Sequence, residues 1–156
     1  MHSLPIALLA TVCPNAKVVY DDLFHVIYNY GRLVISTIRI RLANAFKESN
    51  DKIGYKLLKR SRSILLTRNS NLTEDRKIRL DDILRHYKEL YAANELKELL
   101  PEVFNTTSKE EAERLWDEWV DIAMNSKVDE IIKFARNQNK NYRDGITNSG
   151  IYNIRT

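Results

Sequence analysis

The sequence predicts a mainly α-helical fold with one short β-strand. Only four glycines and three prolines occur among the 156 residues, and long stretches without either favour helices joined by short connections. Hydrophobic residues make up 44% and charged residues 29% of the chain, which is typical of a globular protein and excludes a disordered or membrane protein. A chain of this length fits one domain. We therefore expect one mainly helical domain.

The predicted strand covers residues 17–21, Lys-Val-Val-Tyr-Asp, which are mostly β-branched or aromatic and follow Pro14-Asn15. Two carboxylates, Asp21 and Asp22, stand at its end, immediately before a helical pattern. Catalytic groups gather at the carboxyl ends of strands in α/β sheets. The alternative is that Asp21 or Asp22 only caps the following helix by accepting hydrogen bonds from its free N–H groups.

Apolar residues recur every three or four positions in the rest of the chain, which is the period of amphipathic helices. A short helix at residues 95–100 is expected to stop at Pro101, and the polar end from residue 144 onward has no predicted element. The other predicted helices are a long one over residues 23–46, a basic one over 52–66, one from the Thr73 cap to about residue 91, one over about 107–124, and a last one over about 128–142.

The clearest local signal is the sequence Ser108-Lys-Glu-Glu111, which has the pattern of a capping box at the start of a helix. Trp116 and Trp119 follow in the apolar stripe of that helix. Exposed tryptophans stack on unpaired bases in some nucleic-acid-binding proteins. The unbroken stripe favours packing in the core instead.

The histidines and the single cysteine give no sign of a structural metal site. Cys13 has no second cysteine for a disulfide or a zinc cluster, which fits a reducing cytoplasm. His25 follows Asp22 by three residues, so both could share a helix face and a metal, but its apolar neighbours favour burial. The apolar run at residues 4–12 is too short to span a bilayer and lacks a preceding basic region. We interpret it as a buried helix.

Charge is distributed in three blocks. Residues 1–94 hold 16 basic and 9 acidic side chains, residues 95–130 hold 4 and 11, and residues 131–156 hold 5 and 1. Phosphate binding depends on local basic density, so nucleic-acid contact is expected in the flanks and the acidic middle is expected to face away from DNA.

The densest basic group lies at residues 51–68, where six cations stand against Asp51 alone and the local charge is +5. Four of the cations fall on one face of the predicted helix, which suits a track of phosphate contacts. A solvated polar face is the alternative. The six cations are Lys52, Lys56, Lys59, Arg60, Arg62 and Arg68.

A strand that ends in Asp-x-Phe-His-Val resembles the second catalytic aspartate motif of bacterial insertion-sequence transposases of the DDE class, ISL-three type. Asp22 is the matching residue, although the adjacent Asp21 leaves the match open by one position. The resemblance covers about residues 14–156. Its further matches, in chain order, are Lys59-Arg-Ser-Arg62 with Leu65-Leu66, Asn71-Leu72-Thr73, Glu95-Leu-Lys-Glu98, Glu111-Ala112 with Trp119, and Ile131-Ile-Lys-Phe-Ala135.

The resemblance implies a part of a ribonuclease-H-like transposase domain. Residues 1–25 would end the ribonuclease-H-like core, residues 26–140 would form its helical insertion, and residues 141–156 would lead towards the third catalytic carboxylate. That carboxylate lies in a Leu-Glu-Gly-x-Asn-Asn motif, which does not occur in this sequence. The predicted fold is therefore a helical domain with one strand that is the remnant of the core.

The implied activity of the intact enzyme is metal-dependent cleavage of DNA at the element's ends, followed by transfer of the 3′-hydroxyl to target DNA. Three carboxylates hold two Mg²⁺ or Mn²⁺ ions in such a site, and Asp22 would be one metal ligand. With one of the three, this chain is expected to be inactive alone. The alternative is a non-catalytic helical module that regulates transposition by binding DNA, a full-length transposase or a second copy.

Overall fold

The computed structural model describes residues 25–153, with side chains described as far as residue 148. Within this range the chain forms helices joined by short turns, including a 3₁₀ turn at Asn69–Asn71. The first helix, α1, covers residues 25–48 and contains a π-helical turn at Gly31–Ile35 followed by Ser36–Glu48. The others are α2 (Lys52–Lys59), α3 (Arg62–Leu66), α4 (Glu74–His86), α5 (Lys88–Phe104), α6 (Lys109–Met124) and α7 (Asp129–Asn153).

The predicted fold class is correct in being mainly α and wrong in its β-strand. Residues 25–153 contain no strand, and residues 17–21 lie outside the described range. A strand needs a neighbouring strand to pair its backbone N–H and C=O groups. The prediction rested on β-branched composition, which supplies no such partner, and helices α1 to α7 offer no sheet edge.

Two predicted helices are each interrupted by a turn. The basic helix predicted over residues 52–66 is split into α2 and α3 by a turn at Arg60 and Ser61. The helix predicted from Thr73 to residue 91 ends at His86, because Tyr87 adopts an extended conformation, with φ −125° and ψ 97°. Periodicity does not reveal such breaks, since a turn of one or two residues leaves the apolar spacing nearly unchanged.

Two other helices continue past their predicted ends. Helix α5 includes Pro101 and ends at Phe104, because Val103 and Phe104 are buried beyond the proline. A proline removes one backbone hydrogen bond, and here the loss falls in the last turn, where packing outweighs it. Helix α7 extends to Asn153, and the buried side chains of Ile146 and Thr147 continue its apolar face past residue 142.

The start of α6 confirms the predicted cap but not the full capping box. The Ser108 hydroxyl accepts the Glu111 N–H at 3.2 Å. The Ser108 N–H is donated to Thr106 Oγ1 at 3.2 Å, while the Glu111 side chain pairs with Arg114. The nearby arginine competes for the glutamate, so only one half of the reciprocal pair forms.

The core lies where α1, α5, α6 and α7 meet, and two stacked tryptophans form its centre. Trp116 and Trp119 are buried, as predicted, with ring centroids 5.3 Å apart. Their indole N–H groups bind Asn139 Oδ1 at 2.8 Å and the Leu96 carbonyl at 2.9 Å. Both rings are therefore satisfied inside the fold and do not form a stacking surface for bases.

Tyr30 joins α1 to this cluster. Its ring packs edge-on against Trp119, with centroids 5.9 Å apart, and its hydroxyl donates to the Ala93 carbonyl at 2.5 Å. Burial raises the pKa of the Tyr30 phenol well above its usual value, so Tyr30 remains a neutral donor. At the surface, Arg41 of α1 binds both Glu89 of α5 and Glu130 of α7. These contacts fix α1 relative to α5.

Replacing Trp119 by alanine is expected to lower the free energy of unfolding by about 3–5 kcal/mol, because the substitution leaves a cavity and removes the indole donor to the Leu96 carbonyl. Urea denaturation followed by circular dichroism measures this change. Ile122→Ala, on the exposed side of the same helix, is the control and is expected to change stability by less than about 1 kcal/mol. Equal effects of the two substitutions would contradict the assignment of the core.

Candidate nucleic-acid interface

The basic segment, residues 51–68, begins with a tight connection between α1 and α2. Asn50 adopts a left-handed conformation with φ 63°, which asparagine tolerates better than most residues. The Asp51 side chain then accepts the Gly54 N–H at 2.9 Å and caps α2. A Cβ at Gly54 would lie 3.0 Å from the Phe46 ring, so glycine lets α2 approach α1 closely. The only acid of the segment is thus engaged in capping a helix.

Arg39 holds the C-terminal end of α2. It projects from α1, is only 8% exposed, and donates from Nη1 to the carbonyls of Leu58 at 3.2 Å and Lys59 at 3.1 Å. The last carbonyls of a helix have no partners within the helix and carry partial negative charge. Burial lowers the pKa of Arg39, and the charge of Arg62 lowers it further. The guanidinium therefore ties α2 to the core.

Lys97 of α5 binds the last carbonyls of α3 in the same way. Its side chain is 12% exposed, and Nζ donates to the carbonyls of Leu65 at 3.1 Å and Thr67 at 2.6 Å and to Asn69 Oδ1 at 3.2 Å. Its neighbour Glu98 accepts the Asn69 N–H at 3.1 Å. Burial lowers the pKa of Lys97. Lys97 and Glu98 together therefore bind backbone carbonyls and a backbone N–H at the end of α3 and in the loop that follows it.

All six predicted cations are exposed. Lys52, Lys56, Lys59 and Arg60 lie within or directly after α2, and their spacing places them on one helix face. The structure does not bring the other two onto that face, because Arg62 begins α3 and Arg68 follows it. The Lys59 ammonium also lies 5.4 Å from the centroid of the Tyr55 ring.

The cations of the basic segment differ in their partners from three arginines elsewhere in the described chain. None of the six forms an ion pair with a carboxylate of the described residues. By contrast, three arginines elsewhere each bind two carboxylates: Arg41, Arg114 and Arg143. An unpaired, exposed group of cations retains its full charge for an external anion.

Sequence reasoning missed a groove that lies beside these cations, between α2, α3 and α4. Its volume is about 440 Å³, and its apolar floor consists of Leu57, Ile64 and Ile83. Lys56 and Arg60 line it on one side, and Arg79 and Asp82 of α4 line it on the other. Arg79 could not be found from the sequence, because its place opposite α2 depends on how α4 packs.

Asp22, the predicted catalytic residue, lies outside the described residues. His25 is exposed, so the prediction that its apolar neighbours bury it was wrong. In the part of the chain that the structure describes, no three histidine, cysteine or carboxylate side chains converge as metal ligands. These residues therefore do not fit the two-metal site implied by the resemblance. No helix in residues 25–153 is long and apolar enough to cross a membrane.

A sequence model of the DDE transposases of the ISL-three type, described as "Transposase", matches residues 1–156. The chain belongs to this transposase family. It is also 32% identical, over 133 residues, to the transposase for insertion sequence element IS1001 of Bordetella parapertussis. That match covers 85% of this chain and 32% of the relative, so the chain spans about a third of that transposase. No solved structure matches the chain.

Proposed function

We propose that residues 25–153 form a helical, DNA-binding part of a transposase, and that the basic segment contacts the phosphate backbone. The observation that carries the proposal is the group of six exposed cations without carboxylate partners among the described residues. Phosphate contacts of this kind position a protein on DNA without reading its sequence. Membership of the transposase family makes DNA the anion that such a surface would meet, in the cytoplasm.

The way the segment is held supports a binding role. Flexible lysines on a loose loop pay a larger entropic cost when they bind than side chains on a fixed helix. Here Arg39 and Lys97 tie the ends of α2 and α3 to the core. The backbone that carries the cations is therefore already ordered before DNA arrives.

For Asp22 we propose the role of the second catalytic carboxylate in the complete active site. The support is the family match over the whole chain together with the Asp-x-Phe-His-Val sequence. A two-metal site needs several converging carboxylates, and the described residues supply no such group. Its remaining ligands would come from outside residues 25–153, and a complete site would cleave and join DNA with Mg²⁺ or Mn²⁺.

Changing Lys56, Lys59, Arg60 and Arg62 together to glutamine is expected to abolish most binding to duplex DNA. Each lost phosphate contact removes about 0.9 from the slope of log affinity against log salt, so the slope is expected to fall by about 3 to 4. Fluorescence anisotropy over a salt series measures both affinity and slope. Binding should be weak and independent of DNA sequence.

The matched control for this variant changes four exposed cations outside the basic segment, Lys127, Lys133, Arg136 and Lys140, to glutamine. It alters net charge by the same amount, and its salt slope is expected to stay within about 1 of the wild-type value. The proposed interface would be rejected if both variants lost affinity equally, or if the first variant bound DNA as the wild type does.

The isolated chain is expected neither to cleave nor to join labelled element ends with Mg²⁺ or Mn²⁺, because one carboxylate does not hold two metals. Activity is expected only when the remaining parts of a family transposase are supplied in trans. Asp22→Asn should abolish that activity, while the control Asp21→Asn should retain it. Metal-dependent nicking by the chain alone would contradict this proposal and favour a site that includes other residues.

A further inference from the structure

The groove between α2, α3 and α4 has more apolar surface than a phosphate backbone would contact. Its floor of Leu57, Ile64 and Ile83 lies beside Ile53, which is 84% exposed. Arg60 and Arg79 line opposite sides. DNA phosphates would pair with the arginines, but the apolar floor would then face a charged ligand, which is unfavourable. A helix with apolar and acidic side chains on one face matches both features.

The outer face of α5 offers such a surface. Tyr91, Glu95, Leu99 and Glu102 are spaced by four, four and three residues, so they form one stripe along the helix. Tyr91 is 53% and Leu99 is 42% exposed. Neither Glu95 nor Glu102 forms an ion pair with a described cation. The stripe is thus apolar and acidic, while the groove is apolar and carries three cations against one carboxylate, Asp82.

We propose that two copies of this chain associate by placing the α5 stripe of each copy in the groove of the other. Leu99 would contact the groove floor, while Glu95 and Glu102 would pair with Arg60 and Arg79. Every copy carries both the groove and the stripe, so a two-fold axis makes the contact twice. Charge complementarity of this kind selects partner and orientation.

A charge-swap experiment without DNA tests the interface. The wild type is expected to dimerise in sedimentation-equilibrium runs between about 1 and about 300 µM. The groove variant, Arg60→Glu with Arg79→Glu, and the stripe variant, Glu95→Arg with Glu102→Arg, should each self-associate at least about tenfold more weakly. A 1:1 mixture of the two should dimerise again, because each groove then meets a stripe of opposite charge.

Two controls accompany the swap. Arg85→Glu with Lys88→Glu reverses two exposed cations outside the groove and should dimerise as the wild type does. Leu99→Ser should weaken the dimer with little risk to folding, and circular dichroism verifies that every variant folds.

A wild type that stays monomeric, reversed variants that still self-associate, or a mixture that does not associate would each overturn the proposal. Because no DNA is present, these outcomes are independent of DNA binding.

Discussion

The position of the basic segment depends on two cations that bind the ends of its helices from the core side. Arg39 satisfies the carbonyls at the end of α2, and Lys97 those at the end of α3. Helices of eight and five residues are too short to be stable alone in water. Their geometry therefore comes from tertiary contacts, and these two side chains supply contacts where the backbone most needs them.

The tryptophan pair and Tyr30 hold the part of α5 that carries Lys97 against the core. Trp119 binds the Leu96 carbonyl, directly before Lys97, and Tyr30 binds the Ala93 carbonyl one turn earlier. The same stretch of α5 is thus fixed by the core and in turn fixes the loop after α3. The outward face of α5 carries the acidic stripe, so one helix links the core, the proposed DNA surface and the proposed dimer contact.

Periodicity and capping patterns were sufficient to predict the helical class, the start of α6 and the burial of both tryptophans, because these depend on local spacing. They could not predict that Lys97 and Arg39 bind helix ends from the core side, since lysines and arginines are mostly exposed and the acceptors of these two lie far away in sequence. The six exposed cations were found from charge density, but the groove and Arg79 depend on helix packing. No strand occurs in residues 25–153, and β-branched composition alone does not provide the pairing partner that the predicted strand at residues 17–21 would need.

The most direct test of this account is the DNA affinity of Lys97→Met, which keeps the apolar stem and all six exposed cations but removes the donor. Affinity is expected to fall about tenfold, and amide hydrogen exchange in residues 62–72 should accelerate, whereas Lys88→Met, at an exposed position of the same helix, removes the same charge with neither effect. Unchanged affinity and exchange in a folded Lys97→Met protein would show that the basic segment does not depend on this lysine.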